Sequence, residues 1–446
     1  MNAARAARSV VGRRPRGVHS LRVVVLDAPS FLNSGFFVAD RKTAFAIALA
    51  CFCCVGLVGC ADPGRGPEAR KKTRDADIDA EPVGAPVSGS QQDADAVAKA
   101  VEATVVRRDS AALHALFDNS QFVNQIFAGL HIEKKFRAEF ETAGLSKLST
   151  NIISAVEGGG DYGFVRHVKR GTEIRPLFRL LHPNAGGLNY HELIVARDAT
   201  GQPRISDIHV YLSGERASQS IRRLVLPAVA ANNKGIVARL AREDAAIVRN
   251  FSILKKINER NESQDFQEAY RLILTLPRQL RKDKSVLLLK LVIAQQLGSD
   301  EYLKTVRELE EAWPDDPASD FRAIDVYATQ GNHEKVIEAV DRLIAATEDL
   351  YLNYLKVDGL VSLGRIDEAR AAIAAARAAG VDTLDVHWIE LGFLLRAREH
   401  AATADMLDTI AGKFGIQFED ILEIPEYADF VASEPGKAWM RKLAEE

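Results

Sequence analysis

A short stretch in the second half of the chain, "GRIDEA" (Gly364–Ala369), decides the fold, because it stands between two helical patterns and recurs. The place that Gly364 occupies returns at spacings of 33 or 34 residues, at Gln264, Gly298, Gly331, Gly364 and Ala397. A fixed period of this length is typical of arrays built from repeated helix pairs. The sequence therefore predicts five units in register, each with one helix before this place and one after it.

The segments "GRIDEA" and "DFQEA" resemble the tetratricopeptide repeat, in which a small residue ends the first helix and an alanine lets the second helix pack closely. Three units have that alanine, at Ala269, Ala369 and Ala402. The other two units have a larger residue, Leu303 and Val336. The resemblance covers residues 247–412 and implies an α-solenoid of helix pairs. An irregular helical bundle with accidental spacing is the alternative.

We assign residues 236–446 to this helical repeat domain, with a helical cap from Pro425 onward that covers the last apolar face. The resemblance implies that certain positions on the first helices face a concave groove that binds peptides or protein surfaces. It places Phe321 and Tyr354 there, flanked by Asp325 and Asp358. Aromatic anchors dominate binding energy, and the two carboxylates favour a basic or neutral partner segment. Alternatively, the two rings pack between neighbouring units.

Residues 94–232 have the pattern of an α+β domain. Helical patterns come first, followed by four strand-like segments, "DYGFVRHVK", "EIRPLFRLLH", "LNYHELIVARD" and "RISDIHVYLS". This order predicts helices packed on one face of an antiparallel sheet, and it resembles the nuclear-transport-factor-2-like and cystatin-like folds. The predicted class of the whole chain is therefore mainly α, with an α+β domain followed by the solenoid.

A polar face on the predicted sheet is a candidate pocket. Asp207, His209 and Tyr211 alternate along the fourth strand, and His191 lies on the third strand. In a cone-shaped fold such a face can line a pocket, where a histidine beside an aspartate acts as a general base. The alternative is the solvated side of a sheet whose other side packs on helices.

No sequence motif supports a cofactor, a metal site or catalysis. "GGGDYG" satisfies G-x-G-x-x-G, but it follows a helical pattern and precedes a strand, the reverse of a dinucleotide site. The zinc-protease, nucleophile-elbow and P-loop motifs do not occur in the sequence. We therefore expect a protein that is not an enzyme and carries no cofactor.

All four cysteines lie in "CFCCVGLVGC", Cys51–Cys60. Residues 43–59 form an uncharged run after Arg41 and Lys42, which is the order of an export signal and is short for a membrane span. The ending "LVGC" resembles the lipobox of bacterial lipoproteins, which implies that Cys60 is acylated and becomes the new N-terminus. A short membrane anchor with incidental cysteines is the alternative.

The charge of the chain changes once this segment is removed. Residues 1–59, the upstream extension and signal peptide, hold 8 of the 58 basic and 2 of the 61 acidic residues, so the net charge falls from -3 to -9. Such an acidic body argues against binding to nucleic acid. Residues 60–93 are rich in proline, glycine and charge, which predicts a flexible tether behind the lipidated cysteine.

Together these features predict a lipid-anchored lipoprotein on the periplasmic face of a bacterial membrane. Its function would be that of a scaffold or adaptor whose repeat groove holds an envelope-associated protein or peptide. Ala61 follows Cys60 where an aspartate resembles an inner-membrane retention signal, so the outer membrane is favoured. The alternative function is an enzyme or small-ligand binder that uses the pocket of the α+β domain.

Overall fold

The structure, a computed structural model, describes residues 89–445 except 131, 133–136, 139, 142–145, 183–186, 233–239, 241, 314–316 and 419–420. The predicted signal peptide, Cys60 and the predicted tether before Gly89 lie outside the described residues. Within the described part of the chain, every helix is too short or too polar to span a bilayer.

The first helix, α1 (Gln91–Val106), begins three residues before the predicted start of the α+β domain. Ser90 and Asp93 form a reciprocal cap, in which the Ser90 amide donates to the Asp93 carboxylate at 2.9 Å and the Asp93 amide donates to Ser90 Oγ at 3.2 Å. Such a cap satisfies two backbone donors and fixes the helix start. Further helices of this half with fully described bounds are α2 (Ser110–His114), α3 (Asn119–Ile126), α4 (Ser146–Glu157) and α5 (Ala217–Asn232).

Five strands form one antiparallel sheet in which the spatial order follows the sequence. They are β1 (Asp161–Arg170), β2 (Glu173–His182), β3 (Gly187–Arg197), β4 (Pro203–Val210) and β5 (Glu215–Arg216). The four predicted strands are thereby confirmed, and the two-residue β5 was not predicted. A mostly helical chain with this small antiparallel sheet confirms the predicted mainly α, α+β character.

The two faces of the sheet pack against different layers. The outer face packs on α1, α2 and α4 with Tyr162, Phe178, Leu180, Leu193, Ile205 and Ile208. The inner face carries Val168, Leu177, Leu181, Leu188, Tyr190 and Tyr211. A register shift between Ile194 and Val195 leaves Ser206 as an extra residue in β4, so Ile205 and Ile208 both reach the outer face.

The second half consists of consecutive helices. They are α6 (Arg242–Arg249), α7 (Phe251–Glu262), α8 (Phe266–Thr275), α9 (Arg278–Arg281), α10 (Lys284–Leu297), α11 (Ser299–Ala312), α12 (Pro317–Thr329), α13 (His333–Thr347), α14 (Tyr354–Ser362), α15 (Ile366–Arg377), α16 (Leu384–Arg396), α17 (His400–Phe414), α18 (Ala428–Ala432) and α19 (Glu434–Glu445). Five antiparallel-neighbour pairs pack together, α7 with α8, α10 with α11, α12 with α13, α14 with α15 and α16 with α17. The C-terminal helix α19 packs on α17.

The same turn joins the helices of four pairs. Its central residue has a positive φ, at Gln264 (62°), Gly331 (66°), Gly364 (74°) and Arg398 (57°). The next amide returns to a carbonyl five residues back, as from Arg365 to Leu360 at 2.8 Å, which is a Schellman cap. In the fifth unit this residue is Arg398, one place after the predicted Ala397, whose φ is -78°.

The sheet and the helix pairs share one hydrophobic core. The inner face of the sheet forms a single buried cluster with side chains of α12 to α16, among them Phe321, Leu343 and Tyr354. Residues 94–232 and 236–446 were predicted as separate domains. In the structure their apolar surfaces cover each other.

Candidate functional site

The two aromatic residues predicted for the groove are buried. Phe321 is 1% exposed and Tyr354 is 2% exposed, and the ring of Phe321 lies 5.8 Å from that of Tyr190 on the sheet. The Tyr354 hydroxyl donates to Glu390 at 2.8 Å. The expectation that both rings face an open groove is therefore wrong. Phe321 packs on the sheet, whose inner face is apolar, and Tyr354 bonds to the first helix of the next pair, as in the alternative in which the rings pack between neighbouring units.

Of the two aspartates predicted beside those rings, the structure describes the side chain of Asp358. Asp358 is exposed, and its carboxylate pairs with Arg396 Nη1 at 2.7 Å. The side chain of Asp325 lies outside the described part of the structure. Asp358 is thus the one of the four groove residues whose carboxylate the structure places at the surface.

The four residues predicted to line a pocket do not converge. His191 pairs across the strands with Val210, whereas Glu192 pairs with His209, so the two histidines point to opposite faces. His191 is buried on the outer side, with Nδ1 3.2 Å from the Tyr162 hydroxyl. Burial lowers the pKa of His191 to about 3, so the ring is neutral at physiological pH.

The other three candidate residues lie on the inner side, and two of them, Asp207 and Tyr211, form hydrogen bonds within the chain. Asp207 is fully buried and accepts from Ser218 Oγ at 2.5 Å, and burial raises the pKa of its carboxyl group. Burial also lowers the pKa of His209 to about 4, although the charge of Glu192 opposes this shift. The Tyr211 hydroxyl donates to Glu192 at 2.8 Å. The four residues therefore do not converge on one site, and the alternative of a solvated face is wrong for Asp207 and Tyr211, which are buried.

A buried carboxylate that the sequence analysis missed organises this side of the sheet. Glu192 is completely buried and pairs with Arg170 at 2.6 Å and with Arg175 at 3.1 Å. Burial acts to raise the pKa of Glu192, but the hydrogen bonds and the charge of Arg170, together with the hydrogen bond from Tyr211, keep it below the usual value. The available signal was one acidic residue, Glu192, directly before the apolar run "LIVA" of the same strand.

The centre of the junction is a second buried ion pair. Arg179 of β2 donates from Nη1 to both oxygens of Asp349, at 2.7 and 2.8 Å, and the Tyr190 hydroxyl donates to the same carboxylate at 2.7 Å. Asp349 and Arg179 are 2% and 4% exposed. Burial acts to lower the pKa of Arg179, but the charge and hydrogen bonds of Asp349, together with Tyr190 and Asp161, outweigh it and the pKa is raised.

An arginine of the neighbouring strand β1 binds the segment of the helix pairs that directly precedes Asp349. Arg166 of β1 donates from Nε to the Thr347 carbonyl at 2.9 Å and from Nη2 to the Ala346 carbonyl at 3.1 Å. Those carbonyls are at the C-terminal end of α13, where a helix leaves acceptors unpaired and its dipole favours a cation. Residues 346–349 are thus held by two arginines from adjacent strands.

A shallow cleft opens beside this ion pair, at the end of the β2–β3 hairpin. It is lined by Leu181, His182, Leu188, Tyr351, Leu355 and Asp385. The first three belong to the sheet side, and the others to the 3-10 turn Leu350–Asn353, to α14 and to the first turn of α16. The cleft therefore lies where the sheet meets the helix pairs.

Comparison of the chain with protein-family models, with curated proteins and with solved structures found no match. In the part of the chain that the structure describes, no three His, Cys, Asp or Glu side chains are grouped as metal ligands. The geometry of the junction supports a mechanical interpretation, since the buried pair of Arg179 and Asp349 joins the sheet to the helix pairs. Such pairing fixes how the sheet sits on the helices.

Proposed function

We propose that this chain is a lipid-anchored periplasmic lipoprotein that acts as a protein-binding scaffold, with its helix pairs forming a tetratricopeptide-like α-solenoid. The observation that carries the proposal is the row of five packed helix pairs at the predicted period. The recurrence of one Schellman turn in four of them supports it further. Arrays of this kind present extended surfaces to protein partners.

The proposed scaffold differs from an open solenoid, because the inner face of its own sheet packs on the helix pairs and contacts the ring of Phe321. A partner would then contact the exposed part of the first helices, where Asp358 and Arg396 form an ion pair. The buried pair of Arg179 and Asp349 supports a rigid arrangement of the two layers. A pre-organised surface loses less entropy on binding, which favours affinity.

Photo-crosslinking in the native bacterium tests the scaffold function. A crosslinking amino acid at position 358 should give a discrete adduct with one protein. At Ala371, an exposed position on the second helix of the same unit, it should give none. Equal labelling from both positions, or no adduct from position 358, would contradict a partner surface on the first helices.

The anchor is tested by Cys60→Ser. The proposal predicts that the variant leaves the membrane pellet or accumulates as an uncleaved precursor, because acyl chains supply the membrane affinity. A variant that sediments with membranes at the mature size would refute lipidation at Cys60. Replacement of Cys54 in the same apolar run by serine is the matched control, and it should not change fractionation.

A further inference from the structure

We draw no further inference here: the strongest candidate, the edge of β1 that faces away from β2 and ends in the exposed Lys169 and Arg170, carries none, because a register shift and exposed cations are the ordinary protection of a sheet edge and nothing in the described part of the structure shows what covers it.

Discussion

The two faces of the same sheet are built by different rules. On the outer face, Tyr162 and Phe178 stack with ring centres 5.0 Å apart in an apolar layer under α1 and α4. On the inner face, Arg179, Glu192 and Asp207 are buried among apolar side chains. Apolar packing is non-directional, whereas a buried charge is tolerated only with its partner in place. Of these three groups, Arg179 has its partner, Asp349, on the helix pairs, so this pair specifies one position of the sheet on them. The outer face contributes mainly apolar packing.

The largest effect should come from removing one partner of the inner ion pair. Asp349→Ala leaves the buried Arg179 with only the longer contact to the partly exposed Asp161, at 3.3 Å, and breaking a buried pair in this way typically costs about 3–5 kcal/mol. Denaturant unfolding of the full chain measures the loss. The double variant Arg179→Met with Asp349→Ala should recover much of it, because no unpaired charge then remains.

This comparison has a clear contrary outcome. If Asp349→Ala costs no more than an exposed ion pair, about 0–1 kcal/mol, the inner charges do not specify the docking of the sheet. If the double variant is as unstable as the single one, packing at Tyr190 and Tyr351 explains the loss. Asp367→Asn on the surface is the control and should be nearly neutral.

A core ring from each face should matter next, and to the same cooperative unit. Phe321→Ala on the inner side and Phe178→Ala on the outer side should each cost about 3–4 kcal/mol, since both rings are fully buried. Calorimetry should show one transition that moves in both variants, because the core is continuous across the layers. Two separate transitions in Phe321→Ala would show that the sheet unfolds independently of the helix pairs.

Much of the architecture could be predicted from local pattern. The alternation in "EIRPLFRLLH" and the period of 33 residues indicate strands and helix pairs, and both are found. The pattern could not show that the inner face meets the helices, since polar residues such as Arg179 and Glu192 alternate alike on a solvated face. Their partner Asp349 is 170 residues from Arg179, and no local signal connects them.

The candidate site shows the same limit. The predicted pocket assumed that His191 and His209 share a face, but that depends on strand register, which sequence alternation alone does not fix. The period of 33 residues predicts the fifth turn at Ala397. In the structure the residue with the positive φ in this turn is Arg398, one place later. A positive φ is unfavourable for arginine, so composition gave no indication of it.

Acid should destabilise the folded protein through one histidine on each face of the sheet, the buried His191 on the outer face and the partly buried His209 on the inner face. The folded-state pKa values of His191 and His209 are lowered to about 3 and about 4 by burial. Their contribution is therefore present above the unfolded value of about 6.5 and is lost as the pH falls through this window. When the pH falls from 7 to 5, each histidine should lower the free energy of unfolding by about 2 kcal/mol.

Stability measured against pH in His191→Gln and His209→Gln checks this. Each variant should remove about 2 kcal/mol of the acid-induced loss by pH 5, and the two should diverge only below pH 4. Groups shared by all three proteins cancel in the difference. An unchanged slope in either variant would show that its ring is already protonated or hydrated in the folded state.

The smallest contrast uses adjacent residues of β1 that reach opposite layers. Arg166 donates two hydrogen bonds to carbonyls at the end of α13, while His167 lies 3.3 Å from Asp95 of α1 without hydrogen-bond geometry. Arg166→Met should therefore cost about 1–2 kcal/mol, and His167→Gln less than about 0.5 kcal/mol. In 1 M salt the Debye length is about 3 Å, so an effect of ion pairing with Glu348 would fade while the bonds to carbonyls persist. A loss in Arg166→Met that disappears in salt would assign it to Glu348. If the two variants lose the same free energy of unfolding, then at β1 the inner face is not held by directional hydrogen bonds any more than the outer face is.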